Sequence, residues 1–570
     1  SYDEACELAY FGAKVVHPQT MYPAIERGLP IVIRNTFQPE HPGTRISAGR
    51  DPSRPVKGLT LSPNLALVNL EGTGLIGVPG TAERVFAALR NARVSVVMIS
   101  QGSSEHSICC VVRQDDAERA QAALLNAFAH ELAIGQVQRV QHVPGISVLA
   151  AVGDGMAGQP GIAARLFGAL GRAQVNIRAI AQGSSERNIS VAIDSEQATR
   201  ALRAAHAGFW LSPQTFAVGV IGPGNVGGAL LDQLMAARGK LLERARLDLR
   251  LRAVASRSRQ LLDPRGIEGD WREAYAAARE PLDLDRFTAH LLDSHLPHMV
   301  IVDCSGSPQV ADRYAQWLAA GIHVVTPNKQ AGSGPLQRWR EIRAAAQGSG
   351  ARFRYEATVG AGLPVISTLR DLLDTGDKVI SIEGIFSGTL AWLFNRFDGS
   401  VPFSKLVAEA RSLGYTEPDP RDDLSGTDVG RKLVILAREA GCELGIEDVQ
   451  VESLVPASLR ESSVDDFMAR LHEVDAGFAA RLAQAQANNS VLRYVARLDA
   501  QGKASVGLVE VPRDHAFANL RLTDNIVQFT TRRYCQNPLV VQGPGAGPEV
   551  TAAGVFADLL RVAAGRGARL

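Results

Sequence analysis

The sequence predicts a multidomain α/β protein: a tandem pair of small sheet-and-helix modules, then a doubly wound parallel sheet, then an α+β region. Three observations carry this. The chain has 570 residues, and at roughly 150 residues per domain a single domain is excluded. A segment repeats at a fixed offset. A glycine-rich turn then opens a run in which strand and helix patterns alternate.

Composition narrows the function classes. Hydrophobic residues make up 46% and charged residues 21%, which excludes global disorder. Lys+Arg number 60 and Asp+Glu 59, a net charge of +1, so no basic footprint marks a nucleic-acid partner. Six cysteines (Cys6, Cys109, Cys110, Cys304, Cys442, Cys535) contain no C-x-x-C pair. That argues against a disulfide framework or structural zinc and suits a reducing cytoplasm. No apolar run approaches the ~18 residues of a membrane span. The start, SYDEACELAYFG, lacks a signal peptide's basic and apolar regions, and it opens without Met in mid-helix pattern. The chain reads as part of something longer.

The repeat comes first along the chain. VVMISQGSSEHSICCVV (96–112) matches IRAIAQGSSERNISVAI (177–193), with Gln101 on Gln182, an offset of 182 − 101 = 81. The same offset carries Gly72 onto Gly153, Gly74 onto Gly155 and Phe86 onto Phe167. Each copy reads as a strand, a glycine loop, an amphipathic helix, a β-branched strand, the QGSSE loop and an alternating strand. Two such modules are expected to pack side by side, with crossover helices joining parallel strands. Gln101 and Gln182 stand at loop starts where an amide would meet an amino-acid ligand; a shared turn requirement is the alternative.

After the turn-rich join WLSPQTF comes AVGVIGPGNVGGALLDQL, which holds Gly222-Pro-Gly224-Asn225-Val226-Gly227. This is GxGxxG between a strand and a helix, the context in which it cradles a dinucleotide pyrophosphate at a helix N-terminus. A glycine-rich turn without ligand is the alternative. The second strand ends Ala255-Ser256-Arg257-Ser258-Arg259, with no acid for ribose hydroxyls and two arginines suited to a 2′-phosphate. That favours NADP(H), with NAD(H) tolerated, unless both arginines are merely solvated. The strands MVIVDCS, HVVTPN and FRYEATVG continue the sheet, and beyond about Leu363 the pattern becomes mixed.

AEARSLGYTEPDPRDDLSGTDVGRKLVILAREAG (408–441) carries Glu417, Asp419, Asp422, Asp423 and Asp428, with Lys432 four residues after Asp428. On a helix that spacing puts acid and base on one face in the favourable order. The group suits a substrate bearing an amino group and a carbonyl or hydroxyl. A surface acidic loop with a helix ion pair is the bland alternative.

GYTEPDPRDDLSGTDVGRK resembles the homoserine dehydrogenase signature, and TPNK and YEATVGAGLP match that family too. The repeat pair resembles ACT domains, ferredoxin-like amino-acid sensors. Residues 1–44 resemble the C-terminal end of an aspartokinase catalytic domain, but no KFGG-type loop is present. The order is that of bifunctional aspartokinase/homoserine dehydrogenases. The resemblance implies an aspartokinase remnant at 1–50 and ACT domains at 60–140 and 141–208. It implies a Rossmann domain at 214–350 completed by 536–570, and a catalytic and dimerisation domain at 351–535.

By motif, the resemblance places the dinucleotide on Gly222, Gly224, Asn225, Val226, Gly227, Ser256, Arg257, Ser305, Lys329, Gly414 and Gly547. It places substrate on Glu417, Asp423 and Asp428, and makes Lys432 the proton donor, Lys329 a second essential lysine and Asp428 their partner. Glu356 with the carbonyls of Val359, Ala361 and Leu363 would hold Na⁺ or K⁺; a plain strand-to-helix turn is the alternative. Lys14 would belong to the kinase nucleotide site, with ATP and Mg²⁺ needed only for the missing kinase part. A stub of this size cannot bury a kinase core. The implied reaction interconverts L-aspartate 4-semialdehyde and L-homoserine with NAD(P)(H), in a cytoplasmic homodimer or homotetramer inhibited by L-threonine through Gln101 and Gln182. A free lysine with pKa near 10.4 is a poor base at pH 7, and burial or a second cation would lower it. Two rival readings stand: an inactive assembly module, and an NADP enzyme acting on a different semialdehyde or amino acid.

Overall fold

The computed structural model describes residues 1–12, 16–49, 54–76, 78–102, 106–210, 214–292, 296–566 and 568, with backbone only at 172. They form two compact units, Ser1–Pro213 and Gln214–Ser294 with His298–Leu570.

In the first unit, β1 (Ile31–Ile33) and β2 (Thr44–Ile46) make a small ribbon. The repeat forms one six-stranded sheet from β3 (Gly58–Glu71), β4 (Val96–Gln101), β5 (Ser107–Arg113), β6 (Arg139–Val152), β7 (Ile177–Gln182) and β8 (Asn188–Asp194). Its order is β4-β5-β3-β6-β8-β7. Every neighbouring pair is antiparallel, which corrects the parallel pairing expected from the crossover helices. The helix Thr81–Asn91 does join two co-directional strands, β3 and β4. The chain then turns back, and β5 inserts between them.

The long strands β3 and β6 serve both modules. Leu65–Glu71 pairs with β5, while Gly58–Ser62 pairs with Val148–Val152 of β6, the segment that also pairs with β8. The second module is therefore completed by chain that precedes the first, and the position 140/141 lies inside continuous β6. The repeated glycines report this crossing. A Cβ on Gly72 would lie 2.3 Å from the Gln136 carbonyl oxygen, and one on Gly153 would lie 2.1 Å from that of Pro55. In each module the completing strand enters across the glycine loop, where only a residue without a side chain fits.

One face of the sheet is covered by repeat helices over cores centred on Val85, Leu89 and Leu124 and on Leu166, Leu170 and Ala201. The other face buries Met98, Ile146 and Val148 with Phe11, which follows the helix Tyr2–Tyr10. Glu4 accepts the Asp154 N–H at 2.8 Å, and Thr60 donates to the Phe11 carbonyl at 3.0 Å. The N-terminal segment is thus docked on the repeat sheet. Its own core is Tyr2, Met21 and Ile46.

The second unit holds two sheets. The first contains β9 (Thr215–Ile221), β10 (Asp248–Ala255), β11 (Arg259–Leu262), β12 (Glu280–Pro281), β13 (His298–Asp303), β14 (His323–Val325) and β15 (Phe353–Arg354). Its order is β12-β11-β10-β9-β13-β14-β15, parallel from β10 to β15 with β11 and β12 as an antiparallel edge. Strand order reverses between β9 and β13, the point where such sheets bind ligands. The helix Pro548–Ala564 packs Val555 and Leu559 into the same core as Leu230 and Leu234 of the helix Asn225–Ala245. The second sheet, β16 (Val379–Ile385), β17 (Gln450–Val451), β18 (Ser490–Leu498), β19 (Ala504–Pro512), β20 (Asp524–Thr531) and β21 (Leu539–Pro544), runs β17-β19-β18-β16-β20-β21. Thus β15 extends the parallel sheet past residue 350, and β21 extends the second sheet past residue 535. At two residues, β15 is too short to carry a periodic signal. Among the described residues no helix is long and apolar enough to cross a membrane.

Candidate active site

The glycine motif is built as its spacing predicts. Gly222 has φ +87°, and a Cβ there would lie 2.7 Å from the Ser305 nitrogen. A Cβ on Gly227 would lie 2.0 Å from the Gly222 carbonyl oxygen. Gly224, by contrast, faces open space and starts the helix Asn225–Ala245 without a side-chain cap. Uncapped N–H groups beside an open cradle suit a pyrophosphate. Ser305, just past β13, flanks this turn. At the end of β10 Ser256 and Ser258 lie 3.3 Å apart and Arg257 is exposed. Arg259 is committed to the structure, its guanidinium 4.7 Å from the Tyr275 ring.

The second half of the site is a carboxylate shared by two lysines. Asp428 Oδ2 lies 2.8 Å from Lys432 Nζ, and Oδ1 lies 2.8 Å from Lys329 Nζ. Lys432 is buried and donates also to the Phe386 carbonyl at 2.7 Å. That carbonyl also accepts from Asn525 Nδ2 at 3.2 Å. Lys329 arrives on the short helix Lys329–Ser333, which packs on the helix Thr427–Glu439; Arg438 donates to the Gly332 carbonyl at 2.8 Å across that contact. Burial opposes ionisation of Asp428, but the two ammonium groups outweigh it and hold the carboxyl far below the usual range. Burial pulls Lys432 below the ordinary lysine range; Asp428 opposes this and Lys329 adds to it.

Asp423 organises the preceding loop. It accepts from Thr389 Oγ1 at 2.9 Å and from the Glu417 N–H at 2.8 Å, and burial pushes its carboxyl up against these bonds. The Glu417 carboxylate itself is exposed. Arg421 pairs with Asp419 at 2.7 Å and donates to the carbonyls of Arg460 and Ser462, fixing the loop from outside.

The remaining expected residues divide. Gly547 starts the helix Pro548–Ala564, at the end of a loop whose Gly545 leaves no room for a Cβ over Asn525. Gly414 is an exposed turn after the helix Phe403–Ser412. The Glu356 carboxylate caps the helix Val365–Asp374, accepting from Ile366 at 2.6 Å and Ser367 at 3.0 Å, and pairs with Arg561 at 3.1 Å. The Leu363 carbonyl accepts from Val365 N–H, and the Ala361 carbonyl faces Gly554. With a guanidinium and two helix N–H groups already on it, the Glu356 carboxylate fits a monovalent cation poorly. Gln101 and Gln182 end the edge strands β4 and β7, both exposed, and Ser100 Oγ donates to the Ile180 carbonyl at 2.9 Å between those edges. Lys14 lies outside the described residues. Sequence reasoning missed the Phe386 carbonyl, because a backbone acceptor has no residue signature, and Asn525, because a lone amide far along the chain carries no motif.

Comparison with known proteins fits this geometry. Residues 364–560 match the homoserine dehydrogenase family model, 222–356 match the homoserine dehydrogenase NAD-binding domain, and 68–128 and 149–209 match the ACT domain. The chain is 43% identical over 564 residues to the bifunctional aspartokinase/homoserine dehydrogenase of Haemophilus influenzae, covering 98% of this chain and 69% of that protein. The chain belongs to the bifunctional aspartokinase/homoserine dehydrogenase family. It is also 50% identical over 577 residues to the chloroplastic aspartokinase/homoserine dehydrogenase 2 of Zea mays and 49% identical over 573 residues to the chloroplastic aspartokinase/homoserine dehydrogenase 1 of Arabidopsis thaliana. It spans 100% and 99% of itself but 63% of each of these two relatives. A crystal structure of a Candida auris protein of unknown function superposes with a TM-score of 0.57 at 39% identity, covering 61% of this chain and 98% of that one.

The glycine turn gives a direct prediction. Gly227→Ala forces a Cβ into the Gly222 carbonyl, an overpacking of about 1–3 kcal/mol. The dissociation constant for a nicotinamide dinucleotide, read by fluorescence titration, is expected to rise roughly tenfold or more. Unchanged binding would separate the turn from the cofactor.

Proposed function

We propose that the chain is a homoserine dehydrogenase, interconverting L-aspartate 4-semialdehyde and L-homoserine with NADP(H) preferred and NAD(H) tolerated. The observation that carries this is the pair of lysines on one carboxylate, in the same unit as a dinucleotide-binding turn. The nicotinamide, when bound, supplies the hydride for the aldehyde carbon. Lys432 holds a proton where negative charge would grow on the aldehyde oxygen. It stabilises that charge and donates the proton, and in reverse it takes the hydroxyl proton. Lys329 adds positive charge that helps keep the proton affinity of Lys432 low. Asp428 holds both lysines in place, and Asp423 sets the Glu417 loop toward the substrate amino group.

L-threonine is the proposed effector of the ACT pair at Gln101 and Gln182, and a homodimer or homotetramer in a reducing cytoplasm completes the reading. Kinase chemistry, with ATP and Mg²⁺, is not assigned to residues 1–50. A Na⁺ or K⁺ ion enters no step.

Reduction of NADP⁺ at 340 nm with L-homoserine tests this. Oxidation needs neutral Lys432, so the rate should rise as pH climbs through a pKa that lies below the ordinary lysine range, and L-threonine should lower it. Lys432→Ala should cut kcat about 10²–10⁴-fold while cofactor affinity holds. A flat alkaline profile or intact turnover would remove Lys432 from the chemistry.

Cofactor choice has its own test. A charge-assisted bond to a 2′-phosphate is worth about 1.5–3 kcal/mol. Arg257→Ala should therefore lower kcat/KM for NADP⁺ roughly 10–100-fold and leave NAD⁺ unchanged. Equal loss with both would refute the assignment.

A further inference from the structure

The last residue of β13, Asp303, is fully buried at the point where strand order reverses, and the proposed chemistry does not use it. Its carboxylate gathers three donors. Oδ1 accepts the Ser305 N–H at 2.8 Å, and Oδ2 accepts Asn328 Nδ2 at 3.0 Å and the Tyr314 hydroxyl. Its backbone carbonyl accepts Thr326 Oγ1 at 2.7 Å, and that oxygen accepts the Asn328 N–H at 2.8 Å. Tyr314, Thr326 and Asn328 are all buried too.

Each partner leads to one half of the site. Ser305 is the residue whose nitrogen closes over Gly222. Asn328 immediately precedes Lys329 and caps its helix, its Oδ1 accepting the Gln330 N–H at 3.0 Å while Nδ2 also donates to the Ser307 carbonyl at 3.0 Å. Because Nδ2 is held by Asp303, the amide cannot turn over without presenting the wrong atom to Gln330. Lys329 then reaches Asp428 at 2.8 Å. Burial pushes the Asp303 carboxyl up, and the bonds from Ser305, Tyr314 and Asn328 oppose that shift.

We propose that Asp303 is a positioning residue: it fixes the Ser305 loop and, through the Asn328 amide, the Lys329 ammonium in one frame, so that the dinucleotide turn and the lysine pair hold a set separation. The proposal rests on the homoserine dehydrogenase reading for its kinetic test. It acts through distance rather than contact, and misplacement by a fraction of an ångström is what hydride and proton transfer tolerate least.

Asp303→Asn keeps the shape but points an N–H₂ at donors. Expected is a drop in kcat for homoserine oxidation of roughly tenfold or more, with the homoserine KM and the NADP⁺ dissociation constant within about threefold. Asn328→Ala should show the same split, and the double variant should be no worse than the poorer single one, because both break one linkage. A kcat within about twofold of the parent in Asp303→Asn, a change confined to KM, or multiplicative losses in the double variant would overturn the proposal. Should Asp303→Asn fail to fold, Asn328→Ala decides by the same kcat criterion. Should the parent not oxidise homoserine, the functional reading fails by itself. Hydrogen exchange over residues 326–333 then decides: faster exchange in the folded Asp303→Asn variant supports the linkage, and unchanged exchange overturns it.

Discussion

The arrangement depends on one carboxylate. Asp428 stands between Lys329 and Lys432, 2.8 Å from each ammonium. An exposed i, i+4 pair contributes about 0.3–0.5 kcal/mol, whereas taking a lysine out of water costs several kcal/mol. A surface ion pair is therefore too weak a reason to bury Lys432. Burial is tolerated because Asp428 and the Phe386 carbonyl both receive its protons. It leaves an ammonium that parts with a proton more readily than a free lysine does. Two cations on one anion give a local excess of positive charge, which is what a developing alkoxide requires.

The rest of the second unit supplies the frame for that charge. Lys432 and Asp428 sit one turn apart on a helix, so their separation is set by helix geometry alone. Lys329 comes from the parallel sheet, delivered by the loop after β14 and held by the Asp303 cluster. Phe386 and Asn525 come from the second sheet. The glycine loop ending at Gly547 runs from that sheet back to the helix that packs on Asn225–Ala245. The glycine turn and the lysine pair thus lie in one compact unit.

Much of this was legible in the sequence, for identifiable reasons. The strand–GxGxxG–helix context and the i, i+4 spacing of Asp428 and Lys432 are local patterns, and the 81-residue offset of Gln101 and Gln182 is a repeat of residue identities; both are read without coordinates. What stayed hidden is long-range. The antiparallel repeat sheet hinges on where β5 inserts, and the interleaving of β3 and β6 pairs residues near 60 with residues near 150. Neither leaves a periodic trace. Two-residue strands such as β12 and β15 carry no signal either. Glu356 shows the converse: a carboxylate in a glycine-rich turn suggests a cation, but the fold gives it a helix N-terminus and Arg561.

The most direct test of the central claim is Asp428→Asn, assayed for homoserine-dependent NADP⁺ reduction alongside its thermal melt. Loss of the shared anion should leave the fold standing and lower kcat by about a hundredfold or more, as removal of a group acting on transition-state charge does. A well-folded variant that keeps turnover within about threefold of the parent would contradict the account, since both lysines would then work without the carboxylate that joins them.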